Sequence, residues 1–142
     1  MAYNILVVDD SLPMRSVIKK TIKASGLKVG KLFEASNGME ALDVLSKEWL
    51  DLVLVDYNMP DMNGLELMSK MQKDDLLRSI PVIMTTVEGS QKRVKEFIER
   101  GATDYIKKPF TPEETREKLN KILGGTTNGE ESPDSGDEEF DF

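Results

Sequence analysis

The stretch VDYNMPDMNG at residues 55–64 begins at the last residue of an apolar run, Leu52–Val55, and indicates the fold of the chain. A short, continuous apolar run is typical of a strand that is buried on both faces of a parallel sheet. Asp56 then stands at the carboxyl end of this predicted strand, in front of turn-forming residues. Because open α/β sheets bind their ligands at the carboxyl ends of strands, the stretch indicates both a fold class and the place of a site.

The same pattern recurs along the chain as far as residue 123. Further strands are predicted at Ile5–Val8, Lys31–Ala35, Val82–Met84 and Asp104–Ile106. Apolar residues three or four positions apart predict helices over Met14–Ile22, Ala41–Leu45, Leu65–Met71, Val94–Ile98 and Leu119–Leu123. Cap signals agree with these boundaries, at Ser11 with Pro13, Asn37, Thr111 with Pro112, Gly26 and Gly101. Five strand–helix alternations predict an open, doubly wound parallel α/β sheet with helices on both faces.

Charge divides the 142 residues into two parts. The chain has 19 Lys plus Arg and 26 Asp plus Glu, a formal net charge of −7. The seven acidic residues that produce this imbalance all follow Gly124, in GGTTNGEESPDSGDEEFDF. We therefore expect one folded domain over residues 1–123 and an acidic tail over residues 124–142, which buries too little apolar surface to order itself.

Composition also excludes several classes of function. The chain contains neither cysteine nor histidine, so thiol catalysis, disulfides, Ser-His-Asp catalysis and histidine-ligated zinc are excluded. No signal peptide and no apolar run of about 20 residues is found, so we expect a cytoplasmic protein without a membrane partner. A formally neutral domain with an acidic tail also argues against nucleic-acid binding.

Charged and hydroxyl side chains collect at the predicted carboxyl ends of the strands. Asp9 and Asp10 follow the first strand, Asp56 the third, Thr85–Thr86 the fourth, and Lys108 the fifth. Carboxylates held close together repel one another, and a hard cation such as Mg²⁺ relieves the repulsion. A carboxylate beside Mg²⁺ and a lysine is also a candidate nucleophile toward phosphorus, which fits Asp56 and Lys108.

Four motifs resemble a known family. VVDDS at residues 7–11, VDYNMPDMNG at 55–64, PVIMTT at 81–86 and GATDYIKKPFT at 101–111 are similar to the receiver domain of two-component response regulators. Within that family the chain resembles single-domain chemotaxis regulators of the CheY type, over residues 3–123. The resemblance implies a flavodoxin-like sheet in the order 2-1-3-4-5, for which these regulators are themselves a standard example.

The resemblance also implies a phosphorylation site. Asp56 would accept a phosphoryl group from a histidine kinase, and Mg²⁺ would be held by Asp9, Asp10, Asp56 and the main-chain carbonyl of Asn58. Such a protein is a phosphoacceptor with self-phosphorylation and autodephosphorylation activity only, not a classical enzyme. It acts by phosphorylation-dependent binding.

Further residues would convert phosphorylation into a change of surface. By the same resemblance, Thr86 and Lys108 would bind the phosphoryl oxygens, and Tyr105 would turn inward as Thr86 moves. Thr86 is preferred to Thr85 because it matches the family's hydroxyl position, whereas Thr85 points to the opposite face of the strand. A cis bond before Pro109 would aim the Lys108 ammonium inward.

Three residues are candidates for setting the reaction rate. The family usually has Ala or Gly after the switch threonine, but this chain has Val87, whose branched side chain would crowd the approach to Asp56. We expect slower phosphorylation by bulky donors or a longer-lived phosphoryl group. Asn58 and Glu88 occupy positions where the family tunes autodephosphorylation. The sequence does not show whether they make this reaction faster or slower.

We expect no separate output domain after residue 123, so the partners would have to bind the receiver domain itself. The expected output is a contact made by the fourth helix, fifth strand and fifth helix with an effector, such as the flagellar motor switch protein. Lys92, Lys95 and Lys107 are candidates for charge on that face. A phosphatase is a further candidate partner, and we expect a monomer. Phe140 and Phe142 of the tail could form a docking motif, while the simpler interpretation is a solubilising extension.

Two alternatives to an effector-binding switch stay open. A phosphate sink in the same pathway would have the same chemistry but no effector. A haloacid-dehalogenase-type phosphatase would use a nucleophilic Asp with a second Asp two residues later as acid and base. Here that position is Asn58, which cannot act as acid or base, so the phosphatase is the weaker alternative.

Overall fold

Five parallel strands form one sheet in the order β2-β1-β3-β4-β5. They are β1 (Tyr3–Val8), β2 (Val29–Ala35), β3 (Leu52–Asp56), β4 (Val82–Thr86) and β5 (Asp104–Lys107). This computed structural model describes residues 2–124, so the predicted acidic tail beyond Gly124 lies outside the described residues. The predicted sheet order and all five predicted strands are confirmed.

Helices cover both faces of the sheet. They are α1 (Leu12–Ala24), α2 (Gly38–Lys47), α3 (Gly64–Gln72), α4 (Gln91–Glu99) and α5 (Pro112–Leu119). On one face, Ile18 and Ile22 of α1 and Leu119 of α5 pack against strand residues such as Ile5 and Leu54. The other face carries α2, α3 and α4, which contribute the buried residues Ala41, Leu45, Leu65, Leu67, Met68, Met71 and Phe97. The doubly wound α/β class is confirmed.

The predicted helix starts are explained by side-chain caps. The side chains of Ser11, Asn37 and Thr111 accept hydrogen bonds from main-chain N–H groups in the first turns of α1, α2 and α5. After α1 and α4 the chain turns at Gly26 and Gly101, whose φ angles of 86° and 115° favour glycine.

The last helix differs from its prediction in one respect. The sequence pattern extends a single helix to Leu123, but α5 ends at Leu119 and a π-helical turn, Asn120–Gly124, follows. The Tyr3 hydroxyl donates a hydrogen bond of 3.1 Å to the carbonyl of Leu123, which ties this turn to the start of β1. The wider turn thus joins the end of the folded domain to the sheet.

The order of the strands determines where a site can form. The chain moves from β1 to β2 on one side and then returns to β3 on the other side of β1, so the connections diverge between β1 and β3. Val8 of β1 pairs with Val55 of β3, which brings Asp9 and Asp56, the next residues, to the same edge. A crevice at such a switch point is where open α/β sheets bind ligands.

No helix among residues 2–124 combines the length and the apolar character that a bilayer span requires.

We predict that a methyl group at Gly64 destabilises the protein at the end of β3. An added Cβ would lie 2.8 Å from the carbonyl oxygen of Asp56 and 2.7 Å from the Met84 sulfur. Gly64→Ala should therefore lower the free energy of unfolding by about 1–3 kcal/mol, measured by urea denaturation, because such overpacking displaces backbone.

Gly89→Ala is the matched control for this variant. Its added Cβ would meet no backbone atom, since the nearest atoms are Cδ of the flexible Lys107 side chain, at 3.3 Å, and the edge of the Tyr105 ring, at an ordinary contact distance of 3.7 Å. An equal loss of stability in the two variants would contradict the steric explanation.

Candidate functional site

Three carboxylates meet at the carboxyl end of the sheet. Asp9 follows β1 and is 1% exposed, and Asp56 ends β3 and is 6% exposed, while the neighbouring Asp10 is exposed. One carboxylate oxygen from each of the three lies within 4.8 Å of the other two. The structure thus brings together the three acidic residues that the sequence places at strand ends.

Lys108 closes this cluster from the side of β5. Its Nζ lies 3.0 Å from Oδ2 of Asp9 and 3.3 Å from Oδ1 of Asp56, and its side chain is only 11% exposed. The main-chain N–H of Lys108 donates to the carbonyl of Thr86, which fixes the residue beside the end of β4. The Lys108–Pro109 peptide bond is cis, as predicted.

The charge balance of the cluster favours a further cation. Burial raises the pKa of the Asp56 carboxyl, the Lys108 ammonium opposes this shift, and the negative charge of Asp9 adds to it. One ammonium group thus lies beside a cluster of three carboxylates, two of which are buried. Clustered carboxylate oxygens with an exposed member are the ligand set that suits Mg²⁺, which keeps several waters, so the residues fit this ion.

Main-chain groups orient the two buried carboxylates. The N–H of Ser11 donates to Oδ1 of Asp9 at 2.9 Å, and the N–H of Asn58 donates to Oδ1 of Asp56 at 3.3 Å. Asn58 itself is exposed in the loop after β3. Its predicted role as a carbonyl ligand of the metal stays a prediction.

The two threonines of β4 differ in their surroundings. The Thr86 hydroxyl donates to the carbonyl of Glu88 at 3.1 Å and accepts the Glu88 N–H at 3.0 Å. The Thr85 hydroxyl is buried and has no hydrogen-bond partner among the described residues, and the register of the sheet pairs Thr85 with Asp56. Thr86 is thus next to the cluster but bonded away from Asp56, and its preference over Thr85 stays a prediction.

Tyr105 lies in β5, half-buried against the α4 side of the sheet. The Lys118 ammonium is 4.1 Å from its ring centroid, and a Cβ at Gly89 would be 3.7 Å from the ring edge. The edge of the ring therefore lies near Gly89, in the connection between β4 and α4 that also holds Glu88. Val87 in this connection is 63% exposed.

Several polar contacts around the cluster were not predicted. Arg15 of α1 donates to the carbonyl of Asp9 at 2.6 Å and pairs with Glu34 of β2 at 2.9 Å. Arg93 of α4 donates to the hydroxyl of Tyr57, the residue after Asp56. The position of Tyr57 beside Asp56 could have indicated it from the sequence, whereas the two arginines belong to helices whose packing the sequence does not show.

Comparisons with known proteins agree with this geometry. The family model described as "Response regulator receiver domain" matches residues 5–120. A Campylobacter jejuni protein named "Chemotaxis protein CheY homolog" is 43% identical over 127 residues, which cover 89% of this chain and 95% of that protein. Chemotaxis protein CheY1 of Helicobacter pylori is 43% identical over 121 residues, covering 84% and 96% of the two chains.

A solved structure shows the same fold. The chemotaxis protein CheY4 of Vibrio cholerae superposes with a TM-score of 0.78 at 31% sequence identity, over 87% of this chain and all of that one.

We predict that Mg²⁺ reverses the order of stability of wild type and Asp56→Asn. Without a divalent cation the variant should be more stable by roughly 1 kcal/mol, because it removes a buried charge from a crowded cluster. Saturating Mg²⁺ should stabilise the wild type, by about 2.7 kcal/mol at a hundredfold excess over Kd, and the variant far less. Thermal unfolding with Mg²⁺ or EDTA measures both.

The pH dependence provides a second check. Because the folded-state pKa of Asp56 is raised, its negative charge destabilises the folded state most above that pKa. This destabilisation disappears as the pH falls toward the ordinary aspartate pKa. The advantage of Asp56→Asn without metal should disappear over the same range. Asp43→Asn, which changes an exposed ion pair with Lys47, is the control, and an equal response to Mg²⁺ in that variant and in Asp56→Asn would contradict the assignment.

Proposed function

Since the chain belongs to the response regulator receiver family of two-component signalling, we propose that it accepts a phosphoryl group on Asp56 from a histidine kinase. Receiver domains are signalling proteins rather than classical enzymes, and the proposed product is a switch for an effector. We place the protein in the cytoplasm, acting as a monomer in a chemotaxis-type pathway. The observation that carries the proposal is the Asp56 carboxylate, held by Lys108 beside Asp9 and Asp10.

The proposed reaction is a transfer between two nucleophiles. A carboxylate oxygen of Asp56 forms a bond to phosphorus while the bond from phosphorus to the kinase imidazole nitrogen breaks and its electron pair returns to that nitrogen. The imidazole leaves as a neutral ring when its other nitrogen carries a proton. Lys108 lies where it can neutralise the transferring oxygens, which is the main contribution a protein makes to this chemistry. Mg²⁺, held by Asp9, Asp10, Asp56 and the Asn58 carbonyl, would supply further positive charge.

The proposed switch begins at Thr86. In the described conformation its hydroxyl is bonded to the main chain of Glu88. To bind a phosphoryl oxygen the hydroxyl must leave the Glu88 carbonyl, and this movement would change the β4–α4 connection, whose Gly89 lies near the Tyr105 ring. A ligand that adds contacts in one conformation shifts the population toward it.

The proposed output surface is formed by α4, β5 and α5. Lys92, Lys95 and Lys107 are exposed on these elements. A phosphorylation-dependent change at Tyr105 would alter this surface for an effector, for which we propose the flagellar motor switch protein. A phosphatase is a further proposed partner.

Three positions are proposed to set the lifetime of the phosphoryl group. Val87 and Asn58 are exposed beside the cluster, and Glu88 is exposed in an ion pair with Arg93. A branched side chain at Val87 would hinder bulky donors or attacking water. The decay rate of the phosphorylated protein in Val87→Ala measures this effect, and unchanged transfer and decay rates would exclude it.

We predict that the wild type gains one labile phosphoryl group from acetyl phosphate with Mg²⁺, and that Asp56→Asn gains none. Intact mass spectrometry is the readout, because Trp49, whose main-chain carbonyl accepts a hydrogen bond from the Asn4 side chain, lies at the opposite end of the sheet and reports poorly on Asp56. Asp61→Asn is the control. It removes an exposed carboxylate five residues away, at a φ of 69° that asparagine also tolerates. Phosphorylation of Asp56→Asn would assign the acceptor elsewhere.

We predict that Thr86→Val uncouples phosphorylation from output, whereas Thr85→Val does not. Both variants keep the shape of a buried side chain, but only the first removes the hydroxyl that bonds to Glu88. Thr86→Val should lose about tenfold or more of the phosphorylation-dependent gain in affinity for the motor switch protein, the effect of losing a hydrogen bond to a charged group. Titration calorimetry with phosphorylated and unphosphorylated protein measures this gain.

The outcomes separate the alternatives. A larger loss in Thr85→Val would transfer the switch role to Thr85. Phosphorylation that leaves the affinity of the wild type unchanged would favour a phosphate sink.

A further inference from the structure

Arg93 of α4 connects the two loops that lead away from the acceptor site. Its Nη1 donates to the Tyr57 hydroxyl at 2.7 Å, and the guanidinium carbon lies 4.6 Å from the centre of the Tyr57 ring. Its Nη2 lies 3.4 Å from a carboxylate oxygen of Glu88. One side chain thus holds residues from the loop after β3 and the connection after β4.

Both contacted residues are directly linked to the proposed chemistry. Tyr57 follows Asp56 in sequence, and its main-chain N–H donates to the carbonyl of Thr85. Glu88 holds the Thr86 hydroxyl through its own main-chain N–H and carbonyl. Arg93 therefore lies one contact away from the acceptor on one side and one contact away from the switch threonine on the other.

The packing of the Tyr57 ring continues this connection into α4. The ring lies 5.3 Å from that of Phe97, a fully buried residue of the same helix as Arg93. Glu96 also pairs with Arg93, at 3.0 Å, but within the helix, where such pairs contribute little. The contacts that span the elements are those to Tyr57 and Glu88.

We propose that Arg93 is a positioning residue that holds the β4–α4 connection in the conformation in which Thr86 is bonded to Glu88, and that this sets the rate of phosphorylation. This inference rests on the proposed function. The bonds of Arg93 stabilise one arrangement of Glu88, so the arrangement in which Thr86 reaches Asp56 must form against them. Phosphorylation in turn releases the start of α4.

The hydrogen bonds of Arg93 are strong enough to favour one conformation of the β4–α4 connection and weak enough to break. The Arg93 side chain is 29% exposed, so water competes for its hydrogen bonds, and its buried Nε has no partner among the described residues. A hydrogen bond that replaces one to water contributes only modestly to an equilibrium. Such a bond suits an element that must change state.

The test compares two variants that break the Tyr57 contact from opposite ends. Arg93→Ala removes the guanidinium, while Tyr57→Phe removes only the hydroxyl and keeps the ring. Each should raise the rate of phosphorylation by acetyl phosphate about three- to tenfold, the factor that one net hydrogen bond supplies. The double variant should be no faster than Arg93→Ala, because both changes remove the same interaction.

Arg78→Ala is the matched control. It removes the same guanidinium charge, but Arg78 lies between α3 and β4 and pairs only with Asp75, at 2.6 Å, among the ion pairs of the described residues. An unchanged rate in Arg93→Ala and Tyr57→Phe would overturn the proposal. An equal increase in Arg78→Ala would also overturn it, because the effect would then be one of net charge.

Amide hydrogen exchange of residues 86–94 distinguishes this proposal from the proposed function. If the wild type accepts no phosphoryl group, the proposed function fails, but exchange measured without a phosphodonor still tests the role of Arg93. Faster exchange in Arg93→Ala and Tyr57→Phe than in the wild type and Arg78→Ala supports the contact as a restraint on this connection. Equal exchange in all four proteins overturns it.

Discussion

One ammonium group, that of Lys108, contacts two buried carboxylates at the carboxyl end of the sheet. Buried like charges are costly, so a protein that keeps Asp9 and Asp56 together must hold a cation between them. The sheet order brings the strand ends that carry the two carboxylates together, and the main-chain hydrogen bond from Lys108 to Thr86 holds the lysine beside them. The cluster is nevertheless short of positive charge, since Asp10 adds a third carboxylate at its rim. A bound divalent cation would supply the missing positive charge.

Much of the fold could be predicted because its signals are local. Strands β3 and β4 are buried at every residue, so they appear in the sequence as unbroken apolar runs rather than as alternating patterns. Ser11, Asn37 and Thr111 define helix starts through contacts with residues only three positions away. The cluster of Asp9, Asp10, Asp56 and Lys108 could be predicted as well, because parallel strands bring their carboxyl ends to one edge. The sheet order came from the resemblance rather than from such local signals.

The contacts around the cluster could not be predicted in the same way. Arg15 reaches Asp9 and Glu34 from α1, and Arg93 reaches Tyr57 from 36 residues away. These contacts depend on how a helix rotates about its axis and which rotamer a long side chain adopts, and neither leaves a periodic pattern. The end of α5 was missed for a related reason, since the bond from Tyr3 to Leu123 joins the two ends of the domain. The residues that surround the proposed phosphorylation site are thus harder to predict than the residues that form it.

Two side chains lie beside α4 and the connection that leads into it, and they differ in physical character. The aromatic ring of Tyr105 is half-buried on the α4 side of the sheet, near Gly89 of this connection, so its position depends on packing. Through Arg93 and Tyr57, the same helix is tied to the residue next to Asp56 by a partly exposed hydrogen bond, which water weakens. Packing defines discrete conformations, because close-packed rings fit in few arrangements. A polar contact instead adjusts the balance between them, so we expect substitutions at Arg93 to shift the proposed switch without altering the fold.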